Sequence, residues 1–171
     1  MEFSEVLDAR RSVRHYRQDR PIADHEVRRL LRAAIAAPSA GNVQPWRFTV
    51  VRTPEARERL AAAIGPKWLT KAPLMIVVSA DPRQTYARYG DRGDMIYAIQ
   101  DTAAAAQNIL LTAVDMGLAG CWIGAFSPEA VKEACDLHYA HIPYAVLLIG
   151  ESAESGERPK RRPIEEISKW I

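Results

Sequence analysis

The stretch Leu74-Met75-Ile76-Val77-Val78 decides the fold, because its apolar, largely β-branched residues form a strand that needs cover on both faces. We therefore place this strand at the centre of a sheet. Further apolar runs on either side predict strands over residues 48–51, 118–123 and 145–149. Together these runs describe one sheet with helices packed around it.

Helical periodicity and helix-starting residues fill the segments between the strands. Thr53-Pro54 begins one helix, and the longest helix is predicted over residues 95–116. Small residues at 103–106 allow a neighbouring element to approach that helix closely, including the same helix of a second copy. By contrast, residues 81–94 are predicted to form a surface loop, because glycine and proline interrupt a charged segment.

The composition is that of an ordinary folded protein. With 171 residues, 48% of them hydrophobic and 26% charged, the chain can bury a full core, so we predict a single domain over residues 1–171. A formal net charge of +2 is too small to imply a nucleic-acid or membrane partner, and neither is expected.

Short segments of the sequence predict the cellular location of the protein and whether it binds a metal ion. No apolar run reaches the length that spans a bilayer, and the acidic start Met1-Glu2-Phe3-Ser4-Glu5 is unlike a secretory signal. We therefore expect a cytoplasmic protein in which Cys121 and Cys135 are reduced thiols. His138 and His141 lack a carboxylate at ligand spacing, so no metal site is predicted.

The segment Arg10-Arg11-Ser12-Val13-Arg14, called the arginine segment below, packs three guanidinium groups and a hydroxyl into five residues. Arginine offers permanently charged, fork-shaped donors that suit a dianionic phosphate. One alternative is a solvated basic face that complements the C-terminal dipole of the first helix. A nucleic-acid surface is the other, but no aromatic stacking pattern interleaves with the arginines.

The loop Pro38-Ser39-Ala40-Gly41-Asn42-Val43-Gln44-Pro45-Trp46 carries amide side chains beside an aromatic one. This combination suits a flat heterocycle, which has hydrogen-bonding edges and apolar faces. The alternative is an ordinary turn whose amides bond the local backbone. Together with the arginine segment, the loop predicts a site for a phosphorylated ring cofactor.

Five segments, in this order and spacing, resemble the FMN-dependent nitroreductase family along nearly the whole chain. They are the arginine segment, the loop of residues 38–46, Tyr97-Ala98-Ile99-Gln100-Asp101-Thr102, Gly117-Leu118-Ala119-Gly120-Cys121-Trp122-Ile123-Gly124, and Arg161-Arg162-Pro163-Ile164-Glu165-Glu166-Ile167. The resemblance implies an α+β fold, namely a nitroreductase-like three-layer sandwich with a mixed central sheet flanked by helices. It also implies a homodimer with FMN bound at the subunit interface.

The same resemblance implies where FMN binds. The arginine segment would contact the phosphate and the N1 edge of the flavin, and the loop would come from the partner subunit. The strand before Gly124 would run past the flavin N5, and a basic pair near the end of the chain would complete the phosphate site. The implied cofactor-binding residues are Arg10, Arg11, Ser12, Arg14, Pro38, Ser39, Ala40, Asn42, Gln44, Cys121, Trp122, Ile123, Gly124, Lys160 and Arg161.

The activity implied by the resemblance is that of an FMN-dependent oxidoreductase. Hydride would pass from NAD(P)H through flavin N5 to a planar, electron-poor acceptor, a nitroaromatic or a quinone, in a ping-pong cycle. Because the flavin carries the chemistry, no catalytic side chain is predicted. The alternatives are a flavin-binding carrier or sensor, or a specialised reaction such as reductive dehalogenation or flavin breakdown. The residues expected to line the substrate pocket are Lys67, Trp68, Tyr86, Arg88 and Tyr89.

The C-terminal tail, residues 151–171, is polar and proline-rich before it reaches Ile164, Ile167, Trp170 and Ile171. Four apolar residues at the end of a polar segment need a surface to cover them. We predict that the tail docks on the body of its own chain or on the partner subunit.

Overall fold

The computed structural model describes residues 1–156 and 158–171, and a four-stranded sheet lies at its centre. The strands are β1 (Trp46–Val51), β2 (Leu74–Ala80), β3 (Ala119–Ile123) and β4 (Ile142–Gly150), in the spatial order β1-β2-β4-β3. Every residue of β2 is buried, which confirms the prediction of a central strand covered on both faces.

Seven α-helices are found in the described residues. Short 3₁₀ turns cover Ala40–Asn42 and Lys67–Lys71, and a π-helical turn, Gly93–Tyr97, runs directly into the longest helix. The α-helices are α1 (Phe3–Ala9), α2 (Asp24–Ile35), α3 (Pro54–Ile64), α4 (Pro82–Tyr89), α5 (Ala98–Asp115), α6 (Pro128–Ala134) and α7 (Ile164–Ile167).

The alternation of side chains along β2 produces three layers. Leu74, Ile76 and Val78 belong to the apolar cluster that contains residues of α2 and α5. Met75 and Val77 belong to the cluster on the other face, with residues of α3 and α6. The predicted α+β class and three-layer sandwich are therefore confirmed.

The sheet is less mixed than expected. Among the described residues, the four strands pair only antiparallel with their neighbours. Parallel pairing is confined to an isolated bridge between Ser12 and Gly120, at the outer edge of β3. The parallel element is thus the arginine segment itself, which lies beside β3 without becoming a strand.

The segment of residues 81–94 corrects the prediction of a surface loop, because α4 occupies most of it. The side chain of Asp81 caps this helix by accepting a hydrogen bond from the backbone N–H of Arg83 at 3.2 Å, and Pro82 fills the first turn. Gly90 ends the helix with a φ of +60°. Proline and glycine therefore mark the two ends of a helix here.

The tail leaves the body of the chain beside α1. Arg158 forms an ion pair with Asp8 at 2.7 Å, and beyond this point the apolar side chains are uncovered, with Trp170 89% exposed. The body of the same chain, one of the two surfaces predicted for docking, therefore does not cover them. In the part of the chain described, no helix combines the length and apolar character needed to cross a membrane.

Candidate functional site

The arginine segment is held in an extended conformation against β3. The backbone N–H of Val13 donates to the carbonyl of Gly120 at 3.1 Å, and the Val13 side chain is buried in the core. Ser12 and Arg14, on either side of Val13, are exposed. Burial of the middle residue thus presents its two polar neighbours on the surface.

Positive charge gathers at the start of this segment. Burial lowers the pKa of Arg10, and the nearby guanidinium groups of Arg161 and Arg158 lower it further. Within the described residues, the Arg10 side chain makes no hydrogen bond or ion pair. A partly buried arginine with cationic neighbours and no carboxylate bound to it is a fitting donor set for a dianion such as phosphate. Lys160, predicted to join this group, is exposed.

Arg11 is placed differently from Arg10. Its Nη1 lies 3.4 Å from the Oε1 atom of Glu154, and its Nη2 donates to the Glu154 carbonyl at 2.7 Å. The guanidinium of Arg11 is therefore already occupied within the chain. Arg10, in contrast, has no carboxylate partner among the described residues and lies near the guanidinium groups of Arg158 and Arg161.

The end of β3 lies next to the arginine segment. Cys121 is buried, its Sγ lies 3.9 Å from the carbonyl oxygen of Trp122, and burial is the main cause of its raised thiol pKa. A neutral buried thiol is a packing residue rather than a redox centre. Trp122 is 37% exposed and Gly124 is open to solvent, so this end of the strand is accessible from outside.

The loop of residues 38–46 is shaped by left-handed backbone. Gly41, Asn42 and Gln44 have φ values of +52°, +58° and +54°. The Ser39 hydroxyl accepts from the N–H of Gln44 at 3.0 Å, and the Gln44 side-chain amide donates to Asn42 Oδ1 at 3.2 Å. Non-glycine residues in this region are strained, so the loop needs outside support.

Support for the loop comes from α4 and α5. Arg88 donates from Nη1 to the Gly41 carbonyl at 2.6 Å, and the N–H of Ala40 donates to Asp101 Oδ1 at 3.0 Å. A Cβ atom at Gly41 would lie 2.2 Å from the Tyr89 hydroxyl, so a larger residue here requires the side chain of Tyr89 to move, in addition to the strain of a positive φ. Asp101 is 5% exposed, and burial raises its pKa.

One chain does not bring the loop and the arginine segment together. The loop runs into Trp46, which pairs with Ala80 at one end of the sheet, whereas Gly120 and Leu74 both pair with Ile149 at the other end. A strand of seven residues is about 20 Å long, and β1 and β3 lie on opposite edges. The two parts of the expected site are therefore far apart within one molecule.

The expected substrate-pocket residues also separate into two groups. Tyr86, Arg88 and Tyr89 lie on α4, which follows the last residue of β2, and all three are exposed. Lys67 and Trp68 lie in the turn that precedes the first residue of β2, and Trp68 packs against the α3 and α6 side of the core. One chain does not place these two groups around a common pocket.

Three residues that contact or surround the candidate site were not predicted individually from the sequence, namely Asp101, Glu154 and Arg158. Asp101 lies between Gln100 and Thr102 in one of the family motifs, but the local sequence gave no sign that its carboxylate meets a loop sixty residues earlier. Arg158 belongs to the basic run before residue 163, which was a usable signal. Glu154 carried no local signal, since its contacts depend on long-range folding of the tail.

Comparison with known proteins agrees with the motifs. The profile of the Nitroreductase family matches residues 7–71 and 63–151, a span that contains the arginine segment, the loop and β3. The chain is 36% identical over 154 residues to an Archaeoglobus fulgidus protein named provisionally as an NADH dehydrogenase/NAD(P)H nitroreductase, covering 87% of this chain and 84% of that one. It is 34% identical to the NADH dehydrogenase of Thermus thermophilus, covering 96% and 97%.

A solved structure gives the same result for the fold. It is a protein of Exiguobacterium sibiricum, described provisionally as a nitroreductase, in complex with FMN. It matches with a TM-score of 0.88 at 23% sequence identity and covers 100% of this chain and 98% of the other. Since the family profile spans the arginine segment, the loop and β3, and relatives above 30% identity align along most of the chain, this chain belongs to the nitroreductase family.

Proposed function

We propose that this protein is an FMN-dependent NAD(P)H oxidoreductase that reduces a planar, electron-poor acceptor. The observation that carries the proposal is the cluster of Arg10, Arg158 and Arg161, in which cations crowd around a partly buried guanidinium. Such a cluster is stabilised when an anion binds between its members. The names of the relatives, which include an NADH dehydrogenase, and the FMN complex of a structural neighbour support the same reading.

The donor set fits the phosphate of FMN. Arg10 and the Ser12 hydroxyl would hold the phosphate, with Arg161 of the tail beside them. Arg14 is exposed beyond Ser12 and would place a permanent positive charge against the flavin edge, where charge develops on reduction. When bound, FMN supplies two-electron redox chemistry between NAD(P)H and the acceptor. The chain itself binds, orients and neutralises charge.

We infer that the functional unit is a homodimer in which each site takes the arginine segment from one subunit and the loop from the other. The long separation of the two parts within one chain supports this arrangement. Uncovered apolar side chains support it too, namely Ile99 and Met95 near the start of α5 and Trp170 in the tail. A symmetric pair of subunits would cover these surfaces and complete two sites at once.

The acceptor would reach the site beside α4. Tyr86 and Tyr89 offer exposed aromatic surface there, and Arg88 connects this helix to the loop. A flat nitroaromatic or quinone suits aromatic neighbours, because it stacks on them. NAD(P)H and the acceptor would use the same site in turn, in a ping-pong cycle.

The visible absorbance of the purified protein tests the proposal. We expect a yellow protein that regains flavin from added FMN and loses its colour when NADH or NADPH is added without oxygen. A protein that stays yellow under these conditions would instead be a flavin carrier or sensor. A colourless protein that takes up no FMN, or a monomer in light scattering, contradicts the proposal.

A further inference from the structure

We propose that Glu154 is a positioning residue that fixes the arginine segment for phosphate binding. This inference rests on the proposed function, because it concerns how the same site is assembled. Glu154 is an acid placed beside a site for an anion, where its charge by itself is unfavourable. Its hydrogen bonds to the arginine segment order that segment, and this ordering outweighs the repulsion.

The Glu154 carboxylate contacts three residues that follow Arg10, namely Arg11, Arg14 and His15. Its Oε1 atom accepts from the backbone N–H of Arg14 at 3.1 Å and lies 3.4 Å from Nη1 of Arg11. Its Oε2 atom lies 2.5 Å from Nδ1 of His15. The Glu154 carbonyl accepts a further bond from Nη2 of Arg11 at 2.7 Å. One residue therefore sets the backbone of Arg14 and the direction in which Arg11 points.

Glu154 is itself held in place. Ser152 donates from its hydroxyl to the Glu154 carbonyl at 2.7 Å and accepts from the Glu154 N–H at 3.2 Å. The first part of the tail also pairs with the chain after the arginine segment, since the N–H of Ala153 donates to the His15 carbonyl at 2.9 Å. The carboxylate is thus anchored by backbone contacts on both sides.

The arrangement separates the roles of two neighbouring arginines. Arg11 compensates the charge of Glu154, and the hydrogen bond between Glu154 and His15 is the leading cause of the lowered pKa of Glu154. Arg10 keeps no such partner among the described residues and faces the cations of the tail. Glu154 therefore neutralises Arg11, which supports the segment, whereas Arg10, which would meet the phosphate, has no carboxylate partner within residues 1–156 and 158–171.

The sign of one measurement distinguishes positioning from simple repulsion. If Glu154 acted only as a nearby negative charge, Glu154→Ala would tighten FMN binding. Because it orders the segment, we expect Glu154→Ala to weaken FMN binding roughly tenfold, by loss of charge-assisted bonds. Binding of riboflavin, which has no phosphate, is expected to fall less than binding of FMN, because only the contact of Arg14 with the flavin edge is affected. Both affinities are measured on the apoprotein by flavin fluorescence.

The matched control is Glu151→Ala. Glu151 is an acid three residues earlier that pairs with Arg17 and Arg20 at 3.6 and 3.2 Å, and among the described residues its side chain makes no hydrogen bond or ion pair with the arginine segment. We expect wild-type affinity for both flavins in this variant. Tighter or unchanged FMN binding in Glu154→Ala, or an equal loss of riboflavin, overturns the inference.

A second variant keeps the test decisive if Glu154→Ala folds poorly. Glu154→Gln retains an acceptor for the N–H of Arg14, so we expect a smaller loss of FMN affinity than in the alanine variant. Arg11→Ala should weaken FMN binding as Glu154→Ala does, and the double variant should lose little more, because the two residues act as a unit. Additive losses overturn the inference. Failure of the wild type to bind FMN contradicts the proposed function instead.

Discussion

The arginine segment and the loop of residues 38–46 are two halves of one proposed site, but they are built on different physical principles. The arginine segment lies along the edge of β3, and its special property is the positive charge of Arg10, which has no ion pair in the part of the chain described. The loop carries no charged side chain, and its special property is a run of left-handed backbone held by Arg88 and Asp101. The first half is electrostatic and the second is conformational.

This difference predicts that the halves fail in different ways. Loss of charge in the arginine segment should affect ligands that carry a phosphate, and the effect should depend on salt. Loss of shape in the loop should affect any flavin, with or without phosphate, and should also lower stability. Each half can therefore be inactivated by its own substitutions, and subunits with different inactivated halves can be combined in one dimer.

The largest expected effect is complementation between two damaged subunits. The double variant Arg10→Ala, Arg161→Ala should lose FMN through the electrostatic half, and Gly41→Val should lose it through the loop. A heterodimer of the two, isolated with two affinity tags, carries one undamaged site. We expect about one FMN per heterodimer, measured by absorbance, and none in either parent.

Two results would contradict the assignment of these two segments to one shared site. A heterodimer without FMN would mean that the halves do not combine across subunits. Retention of FMN by the double arginine variant would mean that these guanidinium groups do not hold the phosphate.

The next effect concerns Arg10 alone. Arg10→Ala should weaken FMN binding by roughly ten- to a hundredfold, because a charge-assisted bond to phosphate is lost, and should leave riboflavin binding unchanged. Fluorescence titration at two salt concentrations should show a smaller salt dependence than in the wild type. Arg28→Ala is the control, since Arg28 is an exposed arginine on α2. An equal loss of riboflavin affinity would show that Arg10 does not act through the phosphate.

The conformational half is tested by Gly41→Ala and Gly117→Ala. Both glycines have positive φ, so alanine costs each about 1–2 kcal/mol of unfolding free energy. Gly117 has open space where its Cβ would be, whereas at Gly41 the Tyr89 hydroxyl lies 2.2 Å away. Gly41→Ala should therefore cost more than Gly117→Ala in denaturant unfolding.

A second substitution sharpens this test. Tyr89→Phe removes the obstructing hydroxyl, so the excess cost of Gly41→Ala should shrink in that background. Equal costs for the two glycine variants would show that α4 does not press on the loop.

The sequence predicted best those features that depend on neighbouring residues. The apolar run of β2 required burial on both faces, and Thr53-Pro54 started α3 as expected, with Thr53 Oγ1 accepting from the N–H of Ala56 at 3.3 Å. The segment of α4 was misjudged, because its charged, polar and tyrosine residues form no apolar stripe, although Asp81-Pro82 is a good helix start. Local chemistry was sufficient where burial and capping act together.

The site shows where local reasoning ends. The residue types for a phosphate and a flat ring could be recognised from Arg10 and from the loop, because charge and amide groups have characteristic ligands. Their partners could not, since Glu154 meets Arg11 only after the tail folds back across the chain. Lys67 and the α4 residues were grouped on chemistry alone, whereas β2 places them at opposite ends of the sheet.

The smallest expected effect concerns the support of the loop by Asp101. Its Oδ1 atom accepts from the N–H of Ala40, while its buried Oδ2 atom has no partner among the described residues. Burial raises the pKa of this carboxyl above its ordinary value of 3.8, so the folded state binds the proton more tightly than the unfolded state. The associated stability is present at low pH and is lost as the pH rises above about 4.

Asp101→Asn keeps the acceptor for Ala40 and removes the titration. Its unfolding free energy should therefore increase relative to the wild type as the pH is raised from 4 to 7, whereas Asp101→Ala should lose about 1 kcal/mol with the hydrogen bond. Urea unfolding of the apoprotein across this range measures both differences. If Asp101→Asn is as damaging as Asp101→Ala at pH 7, the negative charge of Asp101 itself stabilises the loop, and charge supports the conformational half as well.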